Sequence, residues 1–381
     1  MGGRDEGPAM SVFGFADGAL VDQVLCAHNR LYQSTVHLAG KAMPTLPTRK
    51  LGKTGLDVTV LGFGAAPLGD LYRQLDDETA IATAETAARR GITLFDTAPL
   101  YGQGLSEHRL GTALRRQAPS GAVVQTKVGR LLAPAPRGRA DTSGYVGGHA
   151  FDVVYDYSYD ATLRSIEDSL HRLGLPSVDT VLIHDADVWT HGPVEGTKRF
   201  AEAMGGAYKA LDRLRREKVI RGIGVGLNDP VYGVKYLQSG DFDCVLLAGR
   251  YSLLEQPALA EFLPLAAKQN VGVMLGGVFN SGILATGAVP GAKYNYVDAP
   301  ADILDRVRRI ERVCASHDVT LATAALHVCL GAPAVSSLVL GAVTPAEVEA
   351  NVAALTAVVP SGLWHDLKAE RLLAAEIPTP T

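Results

Sequence analysis

Ile92-Thr93-Leu94-Phe95-Asp96-Thr97-Ala98-Pro99-Leu100-Tyr101-Gly102 is the stretch on which the reading of the chain turns. Residues 92–95 follow Gly91 and form a short apolar run, as a buried strand does. The run ends in a carboxylate, Asp96. A Pro/Gly loop follows and carries a phenol, Tyr101. An acid and a phenol at the mouth of a strand are the start of a proton-transfer site. Such a site still needs a cation to lower the phenol's pKa, a polar group to orient a substrate oxygen, and an electron acceptor.

Outward from this stretch the same strand–loop–helix unit recurs. Residues 58–63 read as a first strand and 92–95 as the second. Further strands are expected at 123–127, 178–184, 220–225, 244–247, 271–275 and 337–340. Each is a short continuous apolar run, the pattern of a parallel sheet buried on both faces. Helices are expected at 76–90, 106–116, 160–173, 199–217, 257–269, 301–317 and 345–355, with a short one before the sixth strand. Asp76 or Asp77 can cap the first, and Ala80, Ala84 and Ala87 space out its packing face. Leu163, Ile166, Leu170 and Leu173 mark the buried stripe of another. Residues 51–56, with Gly52 and Gly55, read as a small hairpin ahead of the first strand. Eight alternations predict an α/β fold, a (β/α)8 TIM barrel with an N-terminal β-hairpin cap. In such barrels chemistry sits on the loops after the strands.

The loop after the third strand, 129–158, is long, rich in Gly and Pro, and carries Arg130, Arg137, Arg139, His149, Asp152, Tyr155, Asp156 and Tyr157. It reads as a structureless insertion that forms a lid or binding loop. Residues 1–48 lack core patterning and are expected to be a poorly ordered extension, with the natural start at Met43 and a single barrel domain at 49–381.

The chain has 381 residues, 47% hydrophobic and 20% charged, which suits a globular protein with a large core. A net charge of -4 points away from nucleic acid and acidic membrane surfaces. The four cysteines are scattered, and no apolar run is long enough to span a bilayer. Without a secretory signal or a CxxC pair, the expected location is a reducing, cytoplasmic one. The ten histidines show no HExxH or paired metal-ligand spacing.

Four polar groups fall at the ends of successive strands: Asp96 and Tyr101 after the second, Lys127 ending the third, His184 ending the fourth. In a closed barrel those ends converge. A tyrosine of ordinary pKa about 10 is a poor base at neutral pH. A buried ammonium within hydrogen-bond reach stabilises its phenolate. Asp96 can hold Lys127, His184 can bond a substrate oxygen, and Tyr101 can exchange a proton with it. A redox cofactor must supply the electron chemistry.

Several motifs resemble those of the aldo-keto reductase family over about Arg49 to Leu355: Lys50-Leu51-Gly52-Lys53-Thr54-Gly55-Leu56, the 95–102 stretch with Glu107 and Leu110-Gly111 behind it, Thr126-Lys127-Val128-Gly129, Leu182-Ile183-His184-Asp185 and Ile223-Gly224-Val225-Gly226. The resemblance implies a (β/α)8 barrel that binds a nicotinamide nucleotide without a Rossmann fold. It implies a catalytic tetrad of Asp96, Tyr101, Lys127 and His184, with Tyr101 transferring the proton.

Departures from the family pattern bear on the cofactor. Where the family has Ser-Asn after the fifth strand, the chain reads Gly226-Leu227-Asn228, leaving Asn228 as the candidate for the carboxamide. The family's glutamine falls near Ala248 and its stacking aromatic near Gly276. Phe279, Asn280, Ser281 and Gly282 are expected to bind pyrophosphate or ribose through small residues and free N–H groups. After the eighth strand, the Lys and Arg that grip a 2′-phosphate in NADPH-dependent members are replaced by Gly341 and Glu347, and Asn351 matches the adenine contact. A carboxylate repels a 2′-phosphate and accepts a bond from a free 2′-OH, so NAD is expected over NADP. Glu347 also suits the first turn of the last helix in its own right.

NAD preference points toward oxidation. The chain then resembles NAD-linked dehydrogenases of the family that act on aldoses such as L-fucose, D-arabinose or L-galactose, or on pyridoxal. Asp185, Trp189 and Tyr157 are the substrate-contact candidates. The alternatives are a broad carbonyl reductase and, in another class, a nucleotide-sensing regulatory subunit with weak turnover. Lys127 could instead serve a Schiff-base lyase, but Asp96 and Tyr101 favour a lysine that stays charged. Gly62-Phe63-Gly64-Ala65-Ala66-Pro67-Leu68-Gly69 begins like a dinucleotide-binding GxGxxG, but Pro67 takes the third glycine's place. That loop is expected to line the substrate pocket.

Overall fold

The computed structural model describes residues 45–136, 144–295 and 297–380. The expected tail up to residue 44, the proposed start at Met43, and Arg137 and Arg139 lie outside the described residues. Eight parallel strands close into a barrel: β1 (Leu61–Gly64), β2 (Leu94–Asp96), β3 (Val123–Val128), β4 (Thr180–His184), β5 (Gly222–Leu227), β6 (Cys244–Ala248), β7 (Gly272–Gly276) and β8 (Val335–Gly341). Neighbours in the barrel are neighbours in sequence, and β8 pairs with β1 to close the ring. Helices pack around the outside. Every residue of β1 to β5 is buried, as expected of a parallel sheet covered on both faces.

The hairpin ahead of the barrel is shifted from its expected place. Thr48–Lys50 pairs antiparallel with Asp57–Thr59, so residues 51–56 are its turn rather than its strands. Leu51, Leu56 and Val58 close the barrel floor against Leu94, Val123, Leu182, Cys244 and Met274. The Arg49 guanidinium ties the cap to the barrel through the carbonyls of Leu330 and Val335. The cap therefore fills the N-terminal end and leaves the opposite end for the site.

Other differences have local causes. The expected helix at 199–217 is two, Val188–Gly205 and Ala207–Arg216. They break at Gly206, where an added Cβ would lie 2.5 Å from the Tyr157 carbonyl oxygen. Leu321–Leu330 and Ser361–Ala369 are helices with no counterpart in the sequence reading. The insertion after β3 is not structureless: Arg130–Pro134 pairs antiparallel with Phe151–Tyr155. Among the described residues no single helix is long and apolar enough to cross a membrane.

Candidate active site

Within β3 the side chains alternate, as a strand requires. Thr126 faces outward and bonds the buried Glu107 carboxylate at 2.8 Å, and Glu107 in turn takes Arg172 at 2.5 Å. Gln125 and Lys127 face the barrel interior and meet Asp96 from β2. The Lys127 ammonium donates to both Asp96 oxygens at 2.7 Å, to the Thr97 carbonyl at 2.9 Å and to the Tyr101 hydroxyl oxygen at 3.0 Å. Gln125 donates to the same carboxylate at 2.7 Å. Lys127 is fully buried. Burial pulls its pKa below the ordinary lysine range, and the Asp96 charge opposes that pull.

The loop that carries Tyr101 is held close to the loop after β1. At Gly102, φ is 63° and an added Cβ would lie 2.5 Å from the Gly69 carbonyl oxygen. Glycine is therefore required for the approach. His184, at the end of β4, lies edge-on to the Tyr101 ring at 5.9 Å between centroids. Its pKa falls well below the ordinary value, first through burial and then through the Arg130 and Lys127 charges, so the ring is neutral. One ring nitrogen, Nδ1, is buried without a hydrogen-bond partner.

These groups share one cavity of about 280 Å³, at the C-terminal end of the strands. Tyr101, Lys127, His184, Asp185 and Asn228 supply its polar lining, and Ala66, Leu71, Leu100, Leu246 and Ala248 its apolar walls. The loop after β1 thus reaches the cavity, as expected from residues 62–69. Two aromatics that the sequence reading missed complete it: Tyr72, with φ of 68°, and Tyr145, whose ring lies 6.1 Å from that of Tyr101. A β-bridge between Leu71 and Tyr145 joins the two loops. An aromatic among glycines, Gly144-Tyr145-Val146-Gly147-Gly148, was the available signal.

Two expected substrate residues stand elsewhere. Tyr157 is fully buried behind His184 and donates its hydroxyl to the His184 carbonyl at 2.7 Å. It positions the histidine and does not face the cavity. Trp189 is 55% exposed on the rim, with the Arg250 guanidinium 4.3 Å from its ring. Asp185 does line the cavity. Its carboxylate takes Arg130 at 2.5 Å and lies 3.4 Å from the Asn228 amide.

On the other half of the barrel mouth, small residues fall near the ends of β5, β6 and β7, at Gly226, Ala248 and Gly276, and the first two line the cavity beside Asn228. Asn280 is buried, bonded to Ser252 through one amide atom, and its Nδ2 has no partner. The N–H groups of Asn280 and Gly282 are not free as expected: they close turns on Gly277 and Phe279 carbonyls. Left-handed backbone at Gly277, Asn280, Ser281 and Gly282 curls this segment. At Gly341 an added Cβ would lie 2.7 Å from the Pro67 ring. Glu347 takes the Val343 N–H at 3.0 Å, while its own N–H donates to the Thr344 hydroxyl at 3.3 Å, so it helps cap the helix Pro345–Thr356. Asn351 is half-buried on that helix.

An Asp–Lys–Tyr–His cluster at a barrel mouth suits proton exchange with a carbonyl or alcohol oxygen. A model described as the aldo/keto reductase family matches residues 60–369, and the chain belongs to that family. It is 42% identical to a pyridoxal 4-dehydrogenase from Microbacterium luteolum, over 86% of this chain and 98% of that protein. It is 38% identical to a D-threo-aldose 1-dehydrogenase from a Pseudomonas species, over 86% and 97%. Among solved structures, the holo form of an aldo-keto reductase from Bacillus halodurans superposes with a TM-score of 0.67 at 25% identity, covering 87% of this chain and 98% of that one.

Proposed function

We propose that the chain is an NAD-dependent dehydrogenase that oxidises an aldose of L-fucose, D-arabinose or L-galactose type at C1 to the lactone, with Tyr101 as general base. The observation that carries this reading is the Lys127 ammonium, 3.0 Å from the Tyr101 oxygen and fixed on its other side by Asp96. That arrangement favours the phenolate a base requires.

Tyr101 takes the proton of the anomeric hydroxyl. Lys127 stabilises the charge on Tyr101 before the transfer, and Asp96, Gln125 and the Thr97 carbonyl keep Lys127 in place. Neutral His184 holds the same substrate oxygen through a ring nitrogen. The apolar walls from Leu71, Leu100 and Leu246 lower the local polarity, which strengthens each of these interactions. Asn228, the segment Phe279 to Gly282, Gly341, Glu347 and Asn351 are the residues that would hold a nicotinamide dinucleotide, and the buried, unpartnered Nδ2 of Asn280 fits such a polar ligand. When bound, the dinucleotide supplies the acceptor for the hydride leaving C1.

NAD over NADP is supported by a glycine at position 341, where Pro67 crowds any Cβ, and by the carboxylate at position 347. A second reading, pyridoxal as substrate, is favoured by the relative of that name and by the Tyr72 and Tyr145 rings, which suit a flat heterocycle. The two readings share one chemistry. In an aldose and in pyridoxal alike, an internal hydroxyl closes onto the aldehyde carbon, and oxidising that cyclic hemiacetal gives a lactone. The buried free thiols Cys244, Cys314 and Cys329 suit a reducing cytoplasm.

NAD+ reduction over free sugars and pyridoxal, with lactone detection, tests the reading. Turnover with aldoses supports it, and turnover confined to pyridoxal selects the second substrate. Reduction of simple aldehydes without lactol oxidation would replace both with a carbonyl reductase. A higher kcat/KM with NADP than with NAD would overturn the cofactor preference.

A further inference from the structure

The strand pair inserted after β3 delivers one side chain to the cavity region with unusual care. Gly129, at its base, has φ of 102°, and an added Cβ would lie 2.0 Å from the Tyr157 ring. The Gly129 carbonyl accepts the Asp156 N–H at 3.1 Å, closing the base of the pair. Arg130 is the next residue. It pairs across the ladder with Tyr155, whose ring lies 5.4 Å from the guanidinium carbon. Arg130 is itself buried and reaches the Asp185 carboxylate at 2.5 Å.

Asp185 is held from every side. Its backbone sits in the left-handed region, φ of 49°, and its N–H donates to the Gly226 carbonyl at 2.9 Å. One carboxylate oxygen takes Arg130 and lies 3.4 Å from His184 Nε2, and the other faces the Asn228 amide. None of the proton chemistry above uses this pair. A buried ion pair is a poor device for stability, because desolvation cancels most of its Coulomb gain. A carboxylate fixed on a cavity wall, however, is a strong and directional acceptor for a hydroxyl.

We infer that Arg130 and Asp185 read the substrate's hydroxyl pattern. Asp185 accepts a hydrogen bond from a hydroxyl neighbouring the carbon that is oxidised, and Arg130 is the positioning residue that aims the carboxylate. The inserted strand pair is thereby the specificity element of the barrel. The inference rests on the lactol oxidation proposed above. Asp185 lies beside His184, which holds the reacting oxygen, so the group it meets is the adjacent one: the C2 hydroxyl of an aldose. A site built to bond a hydroxyl rejects the analogue lacking it, because its own buried acceptor is then left unpaired.

The test compares an aldose with its 2-deoxy counterpart in the full-length protein with NAD+. The wild type is expected to prefer the parent sugar by roughly 10- to 100-fold in kcat/KM. Asp185→Asn should bring that ratio toward one, with the loss concentrated on the parent sugar. Arg130→Met should lower the ratio in part, and Arg130→Lys should recover some of it. An equal loss on both sugars in Asp185→Asn, or a wild type indifferent to the 2-hydroxyl, overturns the inference. Calorimetric binding of an aldonolactone and its 2-deoxy form to wild type and Asp185→Asn gives the same comparison without turnover. If lactols are not oxidised but binding still depends on the 2-hydroxyl through Asp185, the proposed reaction fails and the inference stands.

Discussion

Lys127 is an ion with no access to water, and every group around it answers that fact. Asp96 neutralises it, the Thr97 carbonyl and Tyr101 take its remaining hydrogens, and Gln125 braces the carboxylate. Replacing it by methionine leaves Asp96 buried without its counter-charge, at a cost of about 3 kcal/mol or more. Denaturant unfolding should show that loss. Adding Asp96→Asn to Lys127→Met should restore much of the stability and none of the turnover. Asp185 sets a pH limit. Burial raises its carboxyl to about 6, with Arg130 opposing the rise. The acceptor is therefore present above that pH and lost below it, so the acid side of the kcat/KM profile for an aldose should steepen below about pH 6. Arg130→Met should move that break upward, and Asp185→Asn should remove it. Asp96, Tyr101, Lys127 and His184 were legible because strand ends in a closed barrel converge whatever the details of packing. Tyr157 was misread because its facing depends on the turn at Gly129, and loop composition says nothing of which way a ring points.

Elements are where local pattern and tertiary context part. Residues 130–134 and 151–155 carry no clean alternation, contain Pro134, and pair across a long intervening segment, so they read as loop. Only pairing with each other makes them strands. Their base depends on Gly129. Gly129→Ala combines a left-handed backbone with a clash against Tyr157, and should cost about 3 kcal/mol or more in a denaturant titration. Turnover of the surviving folded protein should also fall, since Tyr157 holds the His184 backbone. Stability unchanged in Gly129→Ala would mean that the strand pair is not built on that contact. The helix expected from residue 199 begins instead at Val188: the backbone kinks at Gly192, with φ of 75°, beside Pro193, and helix resumes beyond it.

At the scale of the whole barrel, the hairpin cap and the loops divide the labour. Apolar side chains fill one end, and the other gathers Asp96, Tyr101, Lys127 and His184 around one cavity. The barrel was readable from eight repeats of one unit, and the site from the ends of its strands. The nucleotide end was less so, because Glu347 serves a helix start as well as any ligand. Glu347→Arg should raise kcat/KM for NADP relative to NAD and cost about 1 kcal/mol through the lost cap; an unchanged cofactor ratio would leave Glu347 a capping residue alone. The central claim is that Tyr101, charged through Lys127, is the base for lactol oxidation. NAD+ reduction by an aldose or pyridoxal, followed together with lactone formation in wild type and Tyr101→Phe, tests it most directly. The account predicts lactone equal to NADH formed in the wild type and a fall of about 100- to 10,000-fold in kcat for Tyr101→Phe. Comparable turnover by the phenylalanine variant, or NADH formed without lactone, would contradict it.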